Sequence, residues 1–469
     1  MNDRCQFRIN ILAAPPVRAL LRQPALPLAL QVAALAGVLF FCWNGWGLGL
    51  TQTESQLMTL RKTNLTTLFV WGLWWPGMIA VALLAGRLWC TVCPMELVSR
   101  LGHFVGRALG PSRLKLGPWL RAGWLVILAY LVLQVLVAGM SIHRVPHYTA
   151  LMLMTLMGLA LLAGLLFREE RAFCKALCPA KALLSVYGRF TPLQLDVCDR
   201  AVCESCTTKD CVDPKKRDRF DARACPSLVR PYGRQKGDEC VLCLQCAKVC
   251  PQNNVGWGLA AREAGSRRHR LLRPFEAAFV MFAAGFVAHD TIGEAAPLED
   301  YFHFVPTLLN KLAPAIGFGW FEGLWFLVLV PVLLWLMAAT LARLLGQRGT
   351  VRELLLAAAT GAAPVVAVAH LAKALAKVSS WGGFLPLALR EPAGLGTLER
   401  IAGKALAAPE PLVGLPLLGW VMAAALLAIA WRNRQWLCEA ALERPAAARA
   451  GFAVCMVFYM AVLLAWPWV

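Results

Sequence analysis

Cysteine spacing is the feature of this sequence that most directly indicates chemistry. Four cysteines follow one another as Cys240-x2-Cys243-x2-Cys246-x3-Cys250, and a proline comes next. Segments with this spacing bind iron–sulfur clusters, because three close thiolates hold one cluster and the cysteine before proline reaches across to another. The spacing therefore predicts that a second group of ligand cysteines lies close by.

That second group lies just upstream, as Cys203-x2-Cys206-x4-Cys211 followed by a separate Cys225-Pro pair. Exchange of the two proline-adjacent cysteines between the groups predicts two [4Fe-4S] clusters. The predicted ligands are Cys203, Cys206, Cys211 and Cys250 for the first cluster, and Cys240, Cys243, Cys246 and Cys225 for the second. The x4 gap departs from the usual spacing, so Cys198 is an alternative to Cys203.

Three other interpretations of these cysteines are structural zinc, disulfide bonds and buried small apolar residues. A zinc site closes on four Cys or His ligands without exchange between groups, and its usual spacing differs from the run that ends at Cys250. Disulfide bonds require an oxidising compartment, whereas the topology predicted below places this segment in the cytoplasm. Iron–sulfur binding agrees best with the spacing.

Two further cysteine pairs repeat a common pattern in the N-terminal part of the chain. Cys90-x2-Cys93-Pro and Cys174-x3-Cys178-Pro each follow the second helix of a predicted hairpin. A proline after the second thiol breaks or caps the helix, which would present both sulfurs at the membrane surface. These four thiols are candidates for a further metal site, copper binding or disulfide exchange. The simpler alternative is that they are buried cysteines at helix ends.

The composition is that of an integral membrane protein. Hydrophobic residues make up 59% of the 469 positions, charged residues only 16%, and the mean hydropathy is +0.58. Apolar stretches long enough to cross a bilayer as helices predict about nine spans. They lie at about 25–47, 65–86, 117–140, 148–167, 271–293, 320–346, 353–377, 412–431 and 450–468.

We therefore predict an all-α polytopic membrane protein with a small cytoplasmic α+β ferredoxin-like segment. Residues 1–190 would form two transmembrane hairpin repeats, each ending in a Cys-Pro corner. Residues 191–262 would form the cytoplasmic two-cluster segment. Residues 263–469 would form a C-terminal module of transmembrane helices without an assigned role.

Basic residues in short loops predict the orientation of the spans. Arg87, Arg100 and Arg107 follow span two, and Arg343 and Arg348 follow span six, whereas the opposite loops are leaner or acidic. This pattern places the N-terminus and the cluster segment in the cytoplasm. Anionic lipid headgroups account for the net charge of +20. No nucleic-acid-binding motif appears, so nucleic acid is not an expected partner.

Ionisable residues inside the predicted C-terminal spans are costly in a bilayer and are often functional. His289 and Asp290 fall near the outer end of span five, and His370 falls in span seven. A quinol site, or a haem b held by His289 and His370, would use such residues. Hydrogen-bonded core histidines are the simpler interpretation, so haem is not the expected cofactor. No Cys-x2-Cys-His motif occurs, which excludes covalent c-type haem.

The Cys-Pro corners on hairpins, followed by a two-cluster segment, resemble the membrane polyferredoxin superfamily over about residues 25–257. Its members include the quinol dehydrogenase subunit of periplasmic nitrate reduction, the regulator of nitrous-oxide respiration and the copper-oxidase assembly ferredoxin. The resemblance implies a bacterial inner-membrane protein that passes electrons between a quinol or cytoplasmic donor and a membrane or periplasmic acceptor. A redox partner protein and quinone are the implied partners. The alternative is copper reduction or respiratory-complex assembly at the corner thiols.

Two departures limit what the resemblance covers. The first corner has x2 spacing rather than x3 between Cys90 and Cys93. Residues 271–469 add about five predicted spans that the short quinol dehydrogenases lack. The resemblance therefore implies nothing for the C-terminal module.

Overall fold

The computed structural model describes residues 7–23, 25–110, 113–216, 219, 223–227, 229, 231, 240–260, 271–434 and 444–468. The protein is mostly helical, with one small sheet. The strands are Phe7–Asn10 (β1), Leu193–Val197 (β2) and Val255–Ala260 (β3). The predicted boundary between 262 and 263 lies outside the described residues.

The helices of the first half of the chain, up to Val249, include predicted spans and the shorter helices next to the cysteine-bearing loops. They are Pro15–Arg22 (α1), Leu26–Gly45 (α2), Glu54–Thr63 (α3), Leu65–Ala85 (α4), Pro94–Leu109 (α5), Pro118–Arg121 (α6), Trp124–Gly139 (α7), Pro146–Leu166 (α8), Ala172–Ala176 (α9), Ala180–Tyr187 (α10), Arg200–Glu204 (α11) and Gln245–Val249 (α12).

The C-terminal helices are longer on average and form most of the second half of the chain. They are Pro274–Ile292 (α13), Ala296–Leu312 (α14), Phe318–Leu344 (α15), Val351–Gly382 (α16), Leu385–Arg390 (α17), Leu395–Ala402 (α18), Leu415–Asn433 (α19) and Pro445–Ala465 (α20).

Eight helices in the described part of the chain are long and apolar enough to cross a membrane: α2, α4, α8, α13, α15, α16, α19 and α20. The sequence predicted about nine. The stretch predicted at 117–140 forms α7, an apolar helix of 16 residues, which falls below the length of the other eight. The count agrees with a multi-pass membrane protein.

The sheet has the strand order β1-β3-β2, and both pairings are antiparallel. In the β2–β3 pair, Leu195 lies opposite Trp257. On the other side, Asn10 lies opposite Gly258, where a Cβ atom would come within 1.9 Å of the Ile9 carbonyl oxygen. Glycine is therefore needed at this strand contact. The N-terminal strand thus completes a sheet that the sequence predicted only within 191–262.

The chain forms two compact units, and the first comprises residues 1–38, 81–121 and 156–270. Helices α5 and α8 cross closely there because both carry glycines at the contact. A Cβ atom on Gly102 would lie 2.4 Å from the Leu161 carbonyl oxygen, and one on Gly164 would lie 2.1 Å from that of Ser99. Small residues allow such close helix approach without a gap.

The second unit comprises residues 39–80, 122–155 and 271–469. Its core contains α16, the most buried of the eight long apolar helices. Helices α16 and α20 pack with reciprocal glycine contacts. A Cβ atom on Gly361 would lie 2.0 Å from the Ala448 carbonyl oxygen, and one on Gly451 would lie 2.2 Å from that of Ala358. This contact fixes the separation of the two helices.

Candidate metal centre

The first predicted ligand set comes together from two distant parts of the chain. Cys203 lies in α11, Cys206 and Cys211 follow in the next loop, and Cys250 ends α12. Burial raises the pKa of Cys211 to about 11, and the nearby thiols of Cys250, Cys203 and Cys206 add to this rise. Cys250 therefore lies beside the cysteines of the upstream group.

Asn254 connects two members of this set. Its side-chain Nδ2 donates a hydrogen bond to Cys203 Sγ over 3.2 Å, and its backbone N–H donates one to Cys250 Sγ over 3.4 Å. The side chain is 7% exposed, and its Oδ1 accepts the backbone N–H of Asp199. Sequence analysis did not single out Asn254, because an asparagine after a ligand run has no characteristic spacing.

The second predicted ligand set lines one cavity in the first unit. Its cysteines are Cys225, Cys240, Cys243 and Cys246, and Leu195, Val241 and Leu244 are among the other lining residues. Burial raises the pKa of Cys243 to about 11, while the backbone N–H of Gln245 hydrogen-bonds its sulfur. The backbone N–H of Cys225 also donates to the Cys211 carbonyl over 2.8 Å, which ties the two sets together.

The backbone around these cysteines adopts an uncommon conformation. Among the described residues, seven non-glycine residues have positive φ, and five of them lie in cysteine-bearing segments: Arg171, Lys209, Leu242, Leu244 and Asn253. Left-handed backbone at such residues concentrates at functional sites, where the surroundings hold it in place. At Lys209 the turn directs its backbone N–H toward Cys206 Sγ, and this hydrogen bond lowers the pKa of that thiol.

The described cysteine sulfurs do not match the geometry of a single zinc ion. Four thiolates at about 2.3 Å from zinc would lie about 3.8 Å from one another. Within the described part of the chain, no three cysteine sulfurs all come within 4.8 Å of one another. The eight predicted ligands are free thiols and partly buried, and several accept hydrogen bonds, as ligands of an iron–sulfur cluster do.

Cys198, the alternative to Cys203, has a different state. It is disulfide-bonded, which departs from the expectation that this segment carries no disulfide bonds, whereas Cys203 is a free thiol. Its backbone N–H donates to the Asn254 carbonyl over 3.0 Å, so Cys198 adjoins the first set without offering a thiolate. We therefore retain Cys203 as the predicted ligand.

The four corner cysteines form a third group in the same unit. Burial raises the pKa of Cys93 well above its usual value, and the nearby thiols of Cys174, Cys178 and Cys90 raise it further. A helix begins after each corner. The backbone N–H of Glu96 donates a hydrogen bond to the sulfur of Cys93, and the backbone N–H of Ala180 donates one to the sulfur of Cys178. The folded chain thus brings both corners to one place.

Arg171 is a charged residue within this third group. It is 6% exposed and has a φ of 60°. Burial acts to lower its pKa, but four neighbouring groups raise it overall: Cys174, Glu96, Cys90 and Cys243. Since Cys243 belongs to the second ligand set, this guanidinium lies near both the corner thiols and that set. A cation there would offset the charge of thiolates or of a cluster.

A cavity of about 370 Å³ opens beside the corner and the second ligand set. Cys90 and Cys243 both line it, together with apolar residues that include Leu28, Leu97 and Phe104. Such a volume, mostly apolar with a few polar groups, is typical of small-molecule sites.

The polar wall of this cavity is a connected network around Glu96. Gln31 Nε2 donates to Glu96 Oε2 over 2.6 Å, and Arg100 donates to Gln31 Oε1 over 3.2 Å. Glu96 and Gln31 are 3% and 2% exposed. Burial would raise the pKa of Glu96, but the guanidinium groups of Arg223, Arg171 and Arg100 hold it below its usual value.

The histidines chosen from sequence lie in the second unit and have different neighbours. His289 lies with His303 and Glu322, whose ligand atoms all fall within 4.8 Å of one another. His370 is fully buried, and its ring meets that of Phe286 edge-on at 5.1 Å. Sequence analysis missed His303 and Glu322, because the three residues lie on three successive helices without a common motif.

Two curated proteins match parts of this chain. An uncharacterized protein of Methanocaldococcus jannaschii is 28% identical over 184 residues, which cover 38% of this chain and 67% of that protein. The methylamine utilization ferredoxin-type protein MauN of Paracoccus denitrificans is 30% identical over 138 residues, which cover 26% of this chain and 47% of MauN. No protein-family model matches the chain, and no solved structure matches it significantly.

The chain thus spans about two thirds of the first relative and about half of MauN. The similarity to MauN points to an iron–sulfur, ferredoxin-type relationship and hence to electron transfer. The chain is thus similar in part to a ferredoxin-type protein, and its long apolar helices are compatible with a multi-pass membrane protein.

Proposed function

We propose that this protein is a membrane-bound electron carrier of the polyferredoxin type, with two [4Fe-4S] clusters. The observation that carries the proposal is the position of Cys250 beside Cys203 and Cys211 of the upstream group, where Asn254 hydrogen-bonds the sulfurs of both Cys203 and Cys250. Two-cluster ferredoxin segments exchange their proline-adjacent ligands in this way. When bound, the clusters would accept and donate single electrons, and the protein residues would hold them and adjust their potentials through hydrogen bonds such as those from Asn254.

The cavity beside Cys243 supports quinol as the electron donor. A quinol has an apolar ring and two hydroxyl groups, which match the Leu28, Leu97 and Phe104 wall and the Glu96–Gln31 pair. Its oxidation releases two electrons and two protons, so two one-electron steps are needed. Because Cys243 lines the same cavity, a quinol bound there would lie next to the second ligand set.

The orientation proposed from the basic loops places this cavity and both ligand sets at the cytoplasmic face of the bacterial inner membrane. Electrons would leave toward a partner protein at the membrane or in the periplasm. The eight long apolar helices support a multi-pass protein of this kind.

Electron transfer from a quinol tests this function directly. The full chain is purified anaerobically in detergent with its clusters oxidised and is then mixed with a water-soluble quinol analogue. We expect cluster signals in electron paramagnetic resonance (EPR) spectra to appear on quinol addition, as they do in a separate sample reduced with dithionite. Protein without iron, or clusters that dithionite reduces and the quinol does not, would contradict the proposal.

Metal handling at the corners is a second candidate, favoured by the grouping of the four corner thiols, of which Cys90 and Cys174 lie near Arg171. In this alternative, Cys90, Cys93, Cys174 and Cys178 bind copper or exchange a disulfide, as an assembly factor would. A variant with all four cysteines replaced by serine separates the two functions. If quinol-dependent cluster reduction survives in that variant, the corner thiols are not electron carriers, and the assembly function gains support.

A further inference from the structure

Three polar atoms converge at one point in the second unit, and their residues lie outside the cysteine motifs of the sequence. They are His289 Nδ1 on α13, His303 Nε2 on α14 and Glu322 Oε1 on α15. His303 Nε2 lies 3.1 Å from Glu322 Oε1, and His289 Nδ1 lies 3.9 Å from the same oxygen. Three consecutive helices therefore each supply one atom to this point.

Both histidine nitrogens are buried; His289 Nδ1 has no hydrogen-bond partner, whereas His303 Nε2 lies within hydrogen-bond distance of the Glu322 carboxylate. Buried polar atoms are seldom left unsatisfied, and such cases call for an explanation. A simple His–Glu ion pair would account for one nitrogen, but here two nitrogens face one carboxylate oxygen. A cation among the three atoms would satisfy all of them.

The opposite nitrogen of each ring faces another carboxylate. His289 Nε2 lies 3.7 Å from Asp290 Oδ1, and His303 Nδ1 lies 3.9 Å from Glu299 Oε1. Metal-binding histidines commonly have a carboxylate at the second ring nitrogen, which fixes the ring orientation and increases its basicity. Both histidines follow this arrangement.

Aromatic packing holds the rings in these positions. His289 stacks on Phe326 with ring centroids 4.4 Å apart and planes within 10° of parallel. His303 meets Phe318 edge-on at 5.8 Å. Asp290 also forms an ion pair with Lys373, so its negative charge is balanced within the protein. The site is therefore built from residues whose side chains are already positioned.

We propose that His289, His303 and Glu322 bind one divalent transition-metal cation of the zinc, cobalt and iron(II) class. Two imidazoles and one carboxylate suit these borderline ions rather than calcium or magnesium, which prefer oxygen ligands alone. Three protein ligands leave coordination positions open for water or another small ligand. The proposal is independent of the iron–sulfur function, because it uses no cysteine.

Cobalt(II) binding to the cluster-loaded protein tests this site. The full chain is kept anaerobic in detergent, so that clusters occupy the eight predicted ligand cysteines, and is dialysed against cobalt(II). The measured quantities are bound cobalt per chain and the visible d–d absorption. Wild type is compared with Glu322→Gln and with the double variant His289→Gln/His303→Gln. His147→Gln is the matched control, because its Nδ1 accepts the backbone N–H of Gly47 in the same unit.

We expect wild type and His147→Gln to bind one more cobalt ion per chain than the double variant, and their difference spectra against the double variant to show d–d bands without thiolate charge transfer. Glu322→Gln should weaken this binding more than about tenfold, since even outer-shell partners cost about 10–100-fold in affinity. Iron content and cluster EPR signals should stay unchanged in all four proteins.

Glu299→Gln tests the site with a variant that should fold normally, because Glu299 is 45% exposed and would not itself bind the ion. We expect it to lower cobalt affinity by about tenfold while its melting temperature without metal matches that of wild type. Equal cobalt binding by wild type and the double variant, or no effect of Glu299→Gln on affinity, would overturn the proposal.

Discussion

The side-chain amide of Asn254 donates a hydrogen bond to the sulfur of Cys203, with 3.2 Å between the two atoms. The backbone N–H of the same residue donates to Cys250. One asparagine therefore contacts two thiols that are far apart in sequence and belong to one predicted ligand set. Hydrogen bonds to ligand sulfurs raise the reduction potential of an iron–sulfur cluster, because they stabilise the more negative, reduced state.

Replacement of this amide should lower the potential of one cluster. Asn254→Asp removes the donor and adds a negative charge, and one net hydrogen bond of about 1 kcal/mol corresponds to about 40 mV for one electron. We expect one of two midpoint potentials to fall by at least about 40 mV in an EPR-monitored redox titration. Gln252→Glu adds the same charge at an exposed neighbouring position and serves as the control. Equal shifts in both variants would argue against a role for the amide.

The cavity beside Cys243, where we propose that the quinol binds, gives a second prediction. Glu96→Gln removes the buried carboxylate that Gln31 contacts, so a quinol hydroxyl loses its charged hydrogen-bond partner. We expect cluster reduction by a quinol analogue to slow by at least about tenfold, equivalent to about 1.4 kcal/mol. Dithionite needs no binding site, so its reduction rate should stay unchanged. Stopped-flow absorbance measures both rates.

The exposed Glu399→Gln variant controls for the loss of one carboxylate. If Glu96→Gln slows dithionite and quinol equally, the defect lies in the clusters and not in the cavity. If neither rate changes, quinol does not use this cavity.

Packing in the second unit gives a third prediction. Gly361→Ala places a Cβ atom 2.0 Å from the Ala448 carbonyl oxygen, so α16 and α20 must move apart. Overpacking of this kind costs about 1–3 kcal/mol. We expect a lower melting temperature in detergent, measured by circular dichroism. Gly37→Ala is the control, since its Cβ atom would meet nothing within 4 Å. A melting temperature equal to that of wild type would contradict the close helix contact.

Local patterns made some features predictable from sequence. Apolar runs of about 20 residues predicted the long helices, and the exception, α7, forms a helix of 16 residues. Proline was predicted to break or cap a helix at each corner, and in the structure Pro94 occupies the first position of the next helix, α5. The cysteine runs predicted candidate ligands, and the ligand sets themselves stay a prediction.

Other features depend on contacts between distant residues, which spacing does not encode. The pairing of β1 with β3 joins Asn10 to Gly258, and the Gln31–Glu96 hydrogen bond joins residues on different helices. Neither has a periodic signature. His303 was overlooked for the same reason: its partner Glu322 lies on the next helix, and only folding brings the two together.

Iron content of paired cysteine variants tests the crossed ligand sets most directly. Wild type should contain about eight iron atoms per chain, four in each cluster. Cys203→Ala and Cys250→Ala should each lose about four. Since both cysteines are assigned to the same cluster, the double variant Cys203→Ala/Cys250→Ala should also retain about four, with one set of EPR signals.

The double variant Cys203→Ala/Cys225→Ala removes one ligand from each proposed cluster and should lose both. If instead Cys203→Ala/Cys250→Ala loses all its iron while Cys203→Ala/Cys225→Ala keeps about four atoms, each cysteine group holds its own cluster. That result would contradict the arrangement proposed for this protein.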